Sequence, residues 1–332
     1  IILVRPVLKM PAVTKFVGGG GPVVTGKVFP FLFITIACGA LSGFHSLIST
    51  GTTPKLIKNE KDILPIGFGA MLFESFIALM ALIAATVLPT SDYFAINSVP
   101  AVFAKLNMIP KELPMLSKMV GENLAGRPGG GVSLAVGMTY VFYKIGNLKY
   151  VMSYWYHFCI MFEALFILTT IDSGTRIGRY LFQDLLGQVW KPFANRNSWF
   201  NIIFFSALMS FCWGYLLITG SISTIWPLFG TANQTLSTIA FAIGTSVLLK
   251  MHKEKYCPIT ILPMIFIGVV TLTAEFENIF MYYLPKGKVL LSVLSAILII
   301  IMVVILVESV KAWIKHFKSI SVSKNEKKVV TE

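Results

Sequence analysis

Three clusters of polar residues interrupt the long apolar runs of this chain. The first is Gly39-Ala-Leu-Ser-Gly-Phe-His-Ser-Leu-Ile-Ser-Thr-Gly-Thr-Thr-Pro54, which carries Ser42, His45, Ser46, Ser49 and Thr50. Glycine at this density lets a helix unwind, and freed backbone groups and hydroxyls can then coordinate an ion or a substrate. The structural alternative is close helix packing through small residues. His45 alone could be a hydrogen-bonded core histidine. The second cluster is Trp226-Pro-Leu-Phe-Gly-Thr-Ala-Asn-Gln-Thr-Leu-Ser-Thr238. Here Pro227 and Gly230 are expected to break a helix just before Thr231, Asn233 and Gln234. Asn and Gln donate and accept, which suits a carboxylate, an amide or the shell of a cation. The alternative is polar glue between helices, worth about 1 kcal/mol. The third is Asp172-Ser-Gly-Thr-Arg176, whose charged ends lie four apart and share a face if the segment is helical. It could be a gate or a substrate clamp, or an ion pair at the membrane edge. Gly174 leaves the spacing open.

Four carboxylates stand isolated in apolar surroundings: Glu74, Glu163, Glu275 and Glu277. A carboxylate at depth can carry a proton or bind Na⁺, or it can bridge to a polar neighbour. Glu74 and Glu163 fall near mid-span and are the candidates for proton coupling. Glu275 and Glu277 fall nearer a span end and are expected to reach only the interface. HExxH, GxSxG and the phosphate-cradling P-loop are absent, so no enzyme signature is present. Gly18–Gly21 and Gly129–Gly131 read as loops. Cys38, Cys159, Cys212 and Cys257 form no CxxC pair and read as small apolar residues, with no disulfide, metal or cofactor framework.

The elements that position these groups must be transmembrane helices. Of 332 residues 55% are hydrophobic and 13% charged, against about 25% charged in soluble domains. No charge occurs from Val28 to Pro54, between Arg196 and Lys250, from Tyr256 to Ala274 or from Val289 to Val307. A crossing takes about 20 helical residues. The continuous apolar runs exclude the alternation of a β-barrel. About eight spans are expected, at 28–48, 66–88, 131–147, 150–172, 199–220, 224–249, 258–283 and 288–312. This arrangement puts 21 of the 28 Lys and Arg on one side, which is then cytoplasmic and holds both ends of the chain. The net charge of +13 therefore reads as a topology signal and not as a nucleic-acid surface. Residues 1–314 read as one transmembrane domain and 315–332 as a polar, disordered cytoplasmic tail. The long connection from Thr90 to Gly131 is rich in Pro and Gly, and 102–109 could form a short helix on the membrane surface. Ile1-Ile-Leu-Val4 reads as the end of a preceding helix, so the expectation is that upstream spans belong to this protein.

Taken in order, His45-Ser-Leu-Ile-Ser-Thr-Gly-Thr-Thr-Pro-Lys55, Asp172-Ser-Gly-Thr-Arg176 and Trp226-Pro-Leu-Phe-Gly-Thr-Ala-Asn-Gln234 resemble the carbon starvation protein A family. Gly126-Arg-Pro-Gly-Gly130 and Leu134-Ala-Val-Gly-Met138 resemble its connecting segment. The resemblance implies a multi-pass transporter of the bacterial or archaeal inner membrane. It would take up peptides, or pyruvate in some members, during nutrient limitation, with proton or cation coupling. It also implies an all-α bundle with discontinuous helices, similar to the amino-acid–polyamine–organocation superfamily. The family's His-His-Phe and Gly-Pro-rich segment is not in this sequence. The mechanism expected is alternating access around a site near the bilayer midplane. Ser42, His45, Ser46, Ser49 and Thr50 would line one side and Thr231, Asn233 and Gln234 the other. Glu74 or Glu163 would carry the coupling proton, and Asp172 and Arg176 would gate the cytoplasmic side. The partners expected are the substrate, the cation and the bilayer. The rival reading is a membrane nutrient sensor without net transport.

Overall fold

The computed structural model describes residues 1, 4–145, 151–219 and 222–329, and among them every regular element is helical. The first apolar run breaks into three short helices, α1 (Val28–Thr35), α2 (Ala37–Ala40) and α3 (Gly43–Gly51). Then follow α4 (Thr53–Leu56), α5 (Ala70–Val87), α6 (Thr90–Asn97), α7 (Pro100–Ala104), α8 (Leu113–Val120), α9 (Gly131–Tyr143), α10 (Met152–Val189) and α11 (Trp199–Thr219). The series ends with α12 (Ile222–Lys250), α13 (Cys257–Glu277) and α14 (Val289–Val329). Among the described residues, five helical stretches are long and apolar enough to cross a bilayer: Glu60–Val87, Met152–Val189, Trp226–Lys250, Glu254–Lys286 and Val289–Lys318. Gly131–Tyr143 and Trp199–Tyr215 are shorter apolar helices. The chain is thus an all-α, membrane-embedded helical protein with discontinuous helices. The connection expected at 144–149 lies largely outside the described residues, and that expected at 221–223 falls at the start of α12, with residue 221 outside the described residues.

The chain divides into two compact units. One comprises Ile1–Gly26 and Gly51–Ser223. In it α10 packs on α9 and α11, and α5 packs on α9. The Pro- and Gly-rich connection condenses here into a helical cap. Leu88, Ala95, Ile96, Leu113, Leu116, Val120 and Leu124 are buried together with Ala135 and Val136 of α9 and Tyr156 of α10. The buried Asp92 carboxylate accepts the backbone N–H groups of Lys111 (2.6 Å) and Glu112 (2.9 Å) ahead of α8. No helix spans 102–109: α7 starts at Pro100, where proline suits a first turn, and stops at Ala104, and Asn107 turns the chain with φ +50°. The expected surface helix is therefore replaced by part of a folded cap.

The second unit comprises Lys27–Thr50 and Thr224–Glu332. In it α1 packs on α13 through Ile34, Val270 and Ala274. Phe33 meets Phe266 edge-on at 5.2 Å. At the other end Trp313 of α14 donates its indole N–H to Ser246 of α12 (2.8 Å) over a cluster of Ala242, Leu249, Cys257 and Met264. α13 runs on through a π-helical segment, Asn278–Tyr283, so the helical stretch reaches Lys286. α14 continues past Lys315 to Val329, where composition alone expects disorder; extending a helix already nucleated upstream adds one bond per residue fixed.

Candidate functional site

The break between α1 and α3 is held by α12. Ser42 caps α3 by accepting the His45 N–H on Oγ (3.1 Å), the favoured role of serine at a helix start. The next orphan donor, Phe44 N–H, goes to Asn233 Oδ1 (2.8 Å), and Ser42 Oγ lies 3.4 Å from the same oxygen. Ser237 Oγ donates to the Leu41 carbonyl inside the break. The helices approach so closely that a Cβ on Gly43 would collide with the Asn233 carbonyl and the backbone nitrogen of Ser237. Gln234 ties three helices together. Its Nε2 donates to the Phe33 carbonyl (2.8 Å) and its Oε1 accepts from Thr271 of α13 (2.9 Å).

α12 itself is not broken, contrary to expectation. Pro227 lies inside a continuous helix. It removes one i→i−4 bond close to the helix start, which neighbouring helices can absorb. Gly230 lacks a side chain where Ile34 presses in, so its role is contact and not unwinding. The discontinuity belongs to the first polar cluster alone.

The sequence-predicted residues therefore separate. Ser42 and Asn233 meet, and Gln234 and Thr231 lie buried on the same helix as Asn233. Asn233 Oδ1 is committed to α3, but its buried Nδ2 has no partner among the described residues. His45, Ser49 and Thr50 are exposed in this chain. Ser46 hydrogen-bonds back to the Gly43 carbonyl (2.6 Å), and Ser49 and Thr50 both donate to the Ser46 carbonyl (2.9 Å each). Thr231 donates to the Leu228 carbonyl (3.1 Å). Asp172 and Arg176 pair with each other at 2.8 Å along α10, which stays helical through Gly174 and is exposed at both charges. Glu74 is half-buried on α5, and Glu163 is half-buried on α10 with its carboxylate against Gly131 at the start of α9.

Glu275, expected at an interface, is the buried one. It is 0% exposed, and neither carboxylate oxygen has a hydrogen-bond partner among the described residues. The Thr231 and Ser295 hydroxyls lie beside it without completing hydrogen-bond geometry. The sequence signal was present, a lone carboxylate in an apolar run. What was not legible is the packing of α1 and α14 on this helix, which buries Glu275 where a position toward the span end suggested exposure. A second group emerges only in three dimensions. His252, Glu254 and His316 bring ligand atoms within 4.8 Å of one another. The nitrogens lie 3.8 and 3.6 Å from Glu254 Oε1. Lys250, Lys253 and Lys255 flank this cluster in sequence, which opposes a bound metal cation and favours ion pairing.

A set of long apolar helices, with a broken helix clasped through buried Asn, Gln and Ser side chains, defines a polytopic membrane protein. The chain belongs to the carbon starvation protein CstA family, which matches residues 1–274. It is 46% identical over 324 residues to the peptide transporter CstA of Bacillus subtilis (strain 168), covering 96% of this chain and 54% of that protein. It is 44% identical over 315 residues to the peptide transporter CstA of Escherichia coli (strain K12), covering 87% of this chain and 44% of that one. The pyruvate/proton symporter BtsT of Escherichia coli (strain K12) is 42% identical over 313 residues, with 82% of this chain and 44% of that protein covered. The chain spans about half the length of these relatives. No solved structure matches it.

Proposed function

We propose that this chain is part of a secondary transporter of the bacterial inner membrane that takes up peptides or a small carboxylate such as pyruvate, driven by a coupled cation. The observation that carries this reading is the buried Asn233 amide. Its oxygen supports the broken helix and its nitrogen keeps a free donor beside that break. A donor without a partner in a low-dielectric setting favours an acceptor supplied by a ligand. A carboxylate is the acceptor that peptides and pyruvate share. Relatives that are a peptide transporter and a pyruvate/proton symporter support the same substrate classes and cation coupling. In this reading Ser42 and Asn233 contact the substrate, Gln234 positions them, and α1–α3 move against α12 during alternating access. Asp172 and Arg176 serve as a cytoplasmic gate. The crossings number about eight, in an arrangement akin to the amino-acid–polyamine–organocation superfamily.

The test uses the protein at its full natural length in proteoliposomes, with labelled pyruvate and a labelled dipeptide. Gradient-dependent accumulation of either supports the carrier and names its substrate class. Asn233→Ala should then raise the substrate concentration needed for half-maximal uptake. Binding without accumulation or exchange under any gradient would replace the carrier with a nutrient sensor. Unchanged uptake in both Asn233→Ala and Ser42→Ala would remove the site from this break.

A further inference from the structure

We infer that Glu275 is the residue at which the coupling cation, a proton or Na⁺, is bound. The inference rests on the transport reading above and deepens it. Three observations converge. First, the carboxylate is fully buried in a helix long and apolar enough to cross a membrane, and both oxygens lack partners among the described residues. An unpaired buried carboxylate is costly, and it is tolerated at such depth when a bound cation or proton neutralises it. Second, no fixed charge of the surrounding helices does so. α1, the stretch of α12 up to Lys250 and the stretch of α14 from Val289 to Val307 contain no charged residue. Titratable groups close by on its own stretch are Glu277, an acid, and Tyr283, a phenol. Neither can supply a positive charge.

Third, oxygen ligands are in place. Thr231 of α12 and Ser295 of α14 flank the carboxylate, and both are 0% exposed. The Ser295 and Tyr283 hydroxyls are buried without partners among the described residues. Tyr283 belongs to the π-helical segment, a local distortion that recurs at functional sites. Carboxylate and hydroxyl oxygens form a hard-donor shell suited to Na⁺, and the same hydroxyls can hydrogen-bond a protonated carboxyl.

The location also offers a route for coupling. Thr231 flanks Glu275 and sits two residues from Asn233 and three from Gln234 on α12. Gln234 holds the Phe33 carbonyl at the start of the break and Thr271 on α13, four residues before Glu275. Loading Glu275 and closing the broken helix therefore act on the same short stretch of α12. A cation that favours one arrangement of this stretch biases the substrate site by its differential affinity.

The decisive comparison is substrate exchange against gradient-driven accumulation, measured on the full-length protein in proteoliposomes. Glu275→Gln removes the charge and keeps the shape. The expected result is retained exchange of labelled substrate with loss of accumulation under both imposed proton and imposed Na⁺ gradients. In wild type, only one of the two gradients should drive accumulation, and that identifies the cation. Accumulation by Glu275→Gln equal to wild type would overturn the inference and leave the transport reading standing. No exchange by wild type with any substrate would instead remove the transport reading. Should Glu275→Gln fail to fold, Glu275→Asp carries the test. A folded Asp variant that exchanges substrate, with the cation dependence of its accumulation displaced, supports the assignment; unchanged cation dependence, or loss of exchange together with accumulation in a folded variant, overturns it.

Discussion

Two groups of helices in this chain treat polar residues in opposite ways. Trp226–Lys250 and Glu254–Lys286 bury 44% and 39% of their most apolar windows within the chain, whereas Glu60–Val87 and Met152–Val189 bury 11% of theirs. In the first group Asn233, Gln234, Thr271 and Glu275 are buried, and the bonds of Asn233 and Gln234 run to other elements. In the second, Glu74 and Glu163 are half-exposed, and Asp172 and Arg176 bond only within their own helix among the described contacts. A polar side chain that joins separate helices constrains how those helices move. One satisfied along its own helix constrains little. In the proposed transport cycle, substrate binding and coupling therefore fall to the first group.

The sharpest way to break this comparison is to neutralise the carboxylates of both groups. Glu74→Gln and Glu163→Gln should keep gradient-driven accumulation within about twofold of wild type, because neither acid is sealed from its surroundings as Glu275 is. Glu275→Gln should abolish it. If Glu74→Gln or Glu163→Gln uncouples uptake as completely, the division by burial has assigned coupling to the wrong helices.

The next largest effect belongs to the clasp around the break. A methyl at Gly43 meets the backbone of Asn233 and Ser237, whereas one at Gly39 meets nothing within 4 Å. Gly43→Ala should lower stability by about 1–3 kcal/mol, the usual range for overpacking. Gly39→Ala should be close to neutral. Thermal unfolding of the two detergent-solubilised variants checks this, and equal midpoints would mean that α3 and α12 do not approach so closely.

Gln234→Ala and Asp172→Ala set the same contrast on a smaller scale. Removing Gln234 loses two interhelical hydrogen bonds and leaves the Phe33 carbonyl and the Thr271 hydroxyl unpaired, so about 1–2 kcal/mol should be lost. Removing Asp172 breaks an exposed i,i+4 pair worth about 0.5 kcal/mol or less. Midpoints that fall by the same amount would erase the distinction between bonds across helices and bonds along one.

Much of the fold was legible, because a chain that must satisfy its own backbone in lipid has few options. The apolar runs located the long helices, and the Gly-rich stretch around Ser42 located the break. What stayed hidden is instructive. Pro227 and Gly230 looked like a second break, yet one lost hydrogen bond near a helix start is tolerated, and the glycine serves a close contact with Ile34. Glu275 looked peripheral from its position toward a span end, because the packing of α1 and α14 on its helix has no sequence signature. A run of letters tells that Asn233 and Gln234 are polar at depth. It does not tell that Gln234 is spent on both ends while Asn233 keeps one donor free. The family resemblance came from the same three motifs, and it named the class without deciding which of their residues converge.

The smallest effect concerns the cap in the first compact unit, outside the long helices. Arg127 Nη1 lies 2.5 Å from Glu122 Oε2, and His157 Nε2 lies 3.2 Å from Oε1. The Arg127 hydrogen bond holds the Glu122 carboxyl below the usual carboxylate range, with a smaller contribution from His157. A depressed folded-state pKa means that the unfolded chain binds the proton first on acidification. The stabilisation is then complete above the unfolded value, about 4.3, and is lost as pH falls through the lower folded value. Both side chains are more than a third exposed, so solvent screening keeps the contribution below about 1 kcal/mol. The midpoint of thermal unfolding for Glu122→Gln should therefore lie slightly below wild type at about pH 7, and the gap should close toward about pH 3. A gap that widens on acidification would mean that the carboxylate is held by something other than its cationic neighbours, and the cap would then belong with the interior helices and not with the surface.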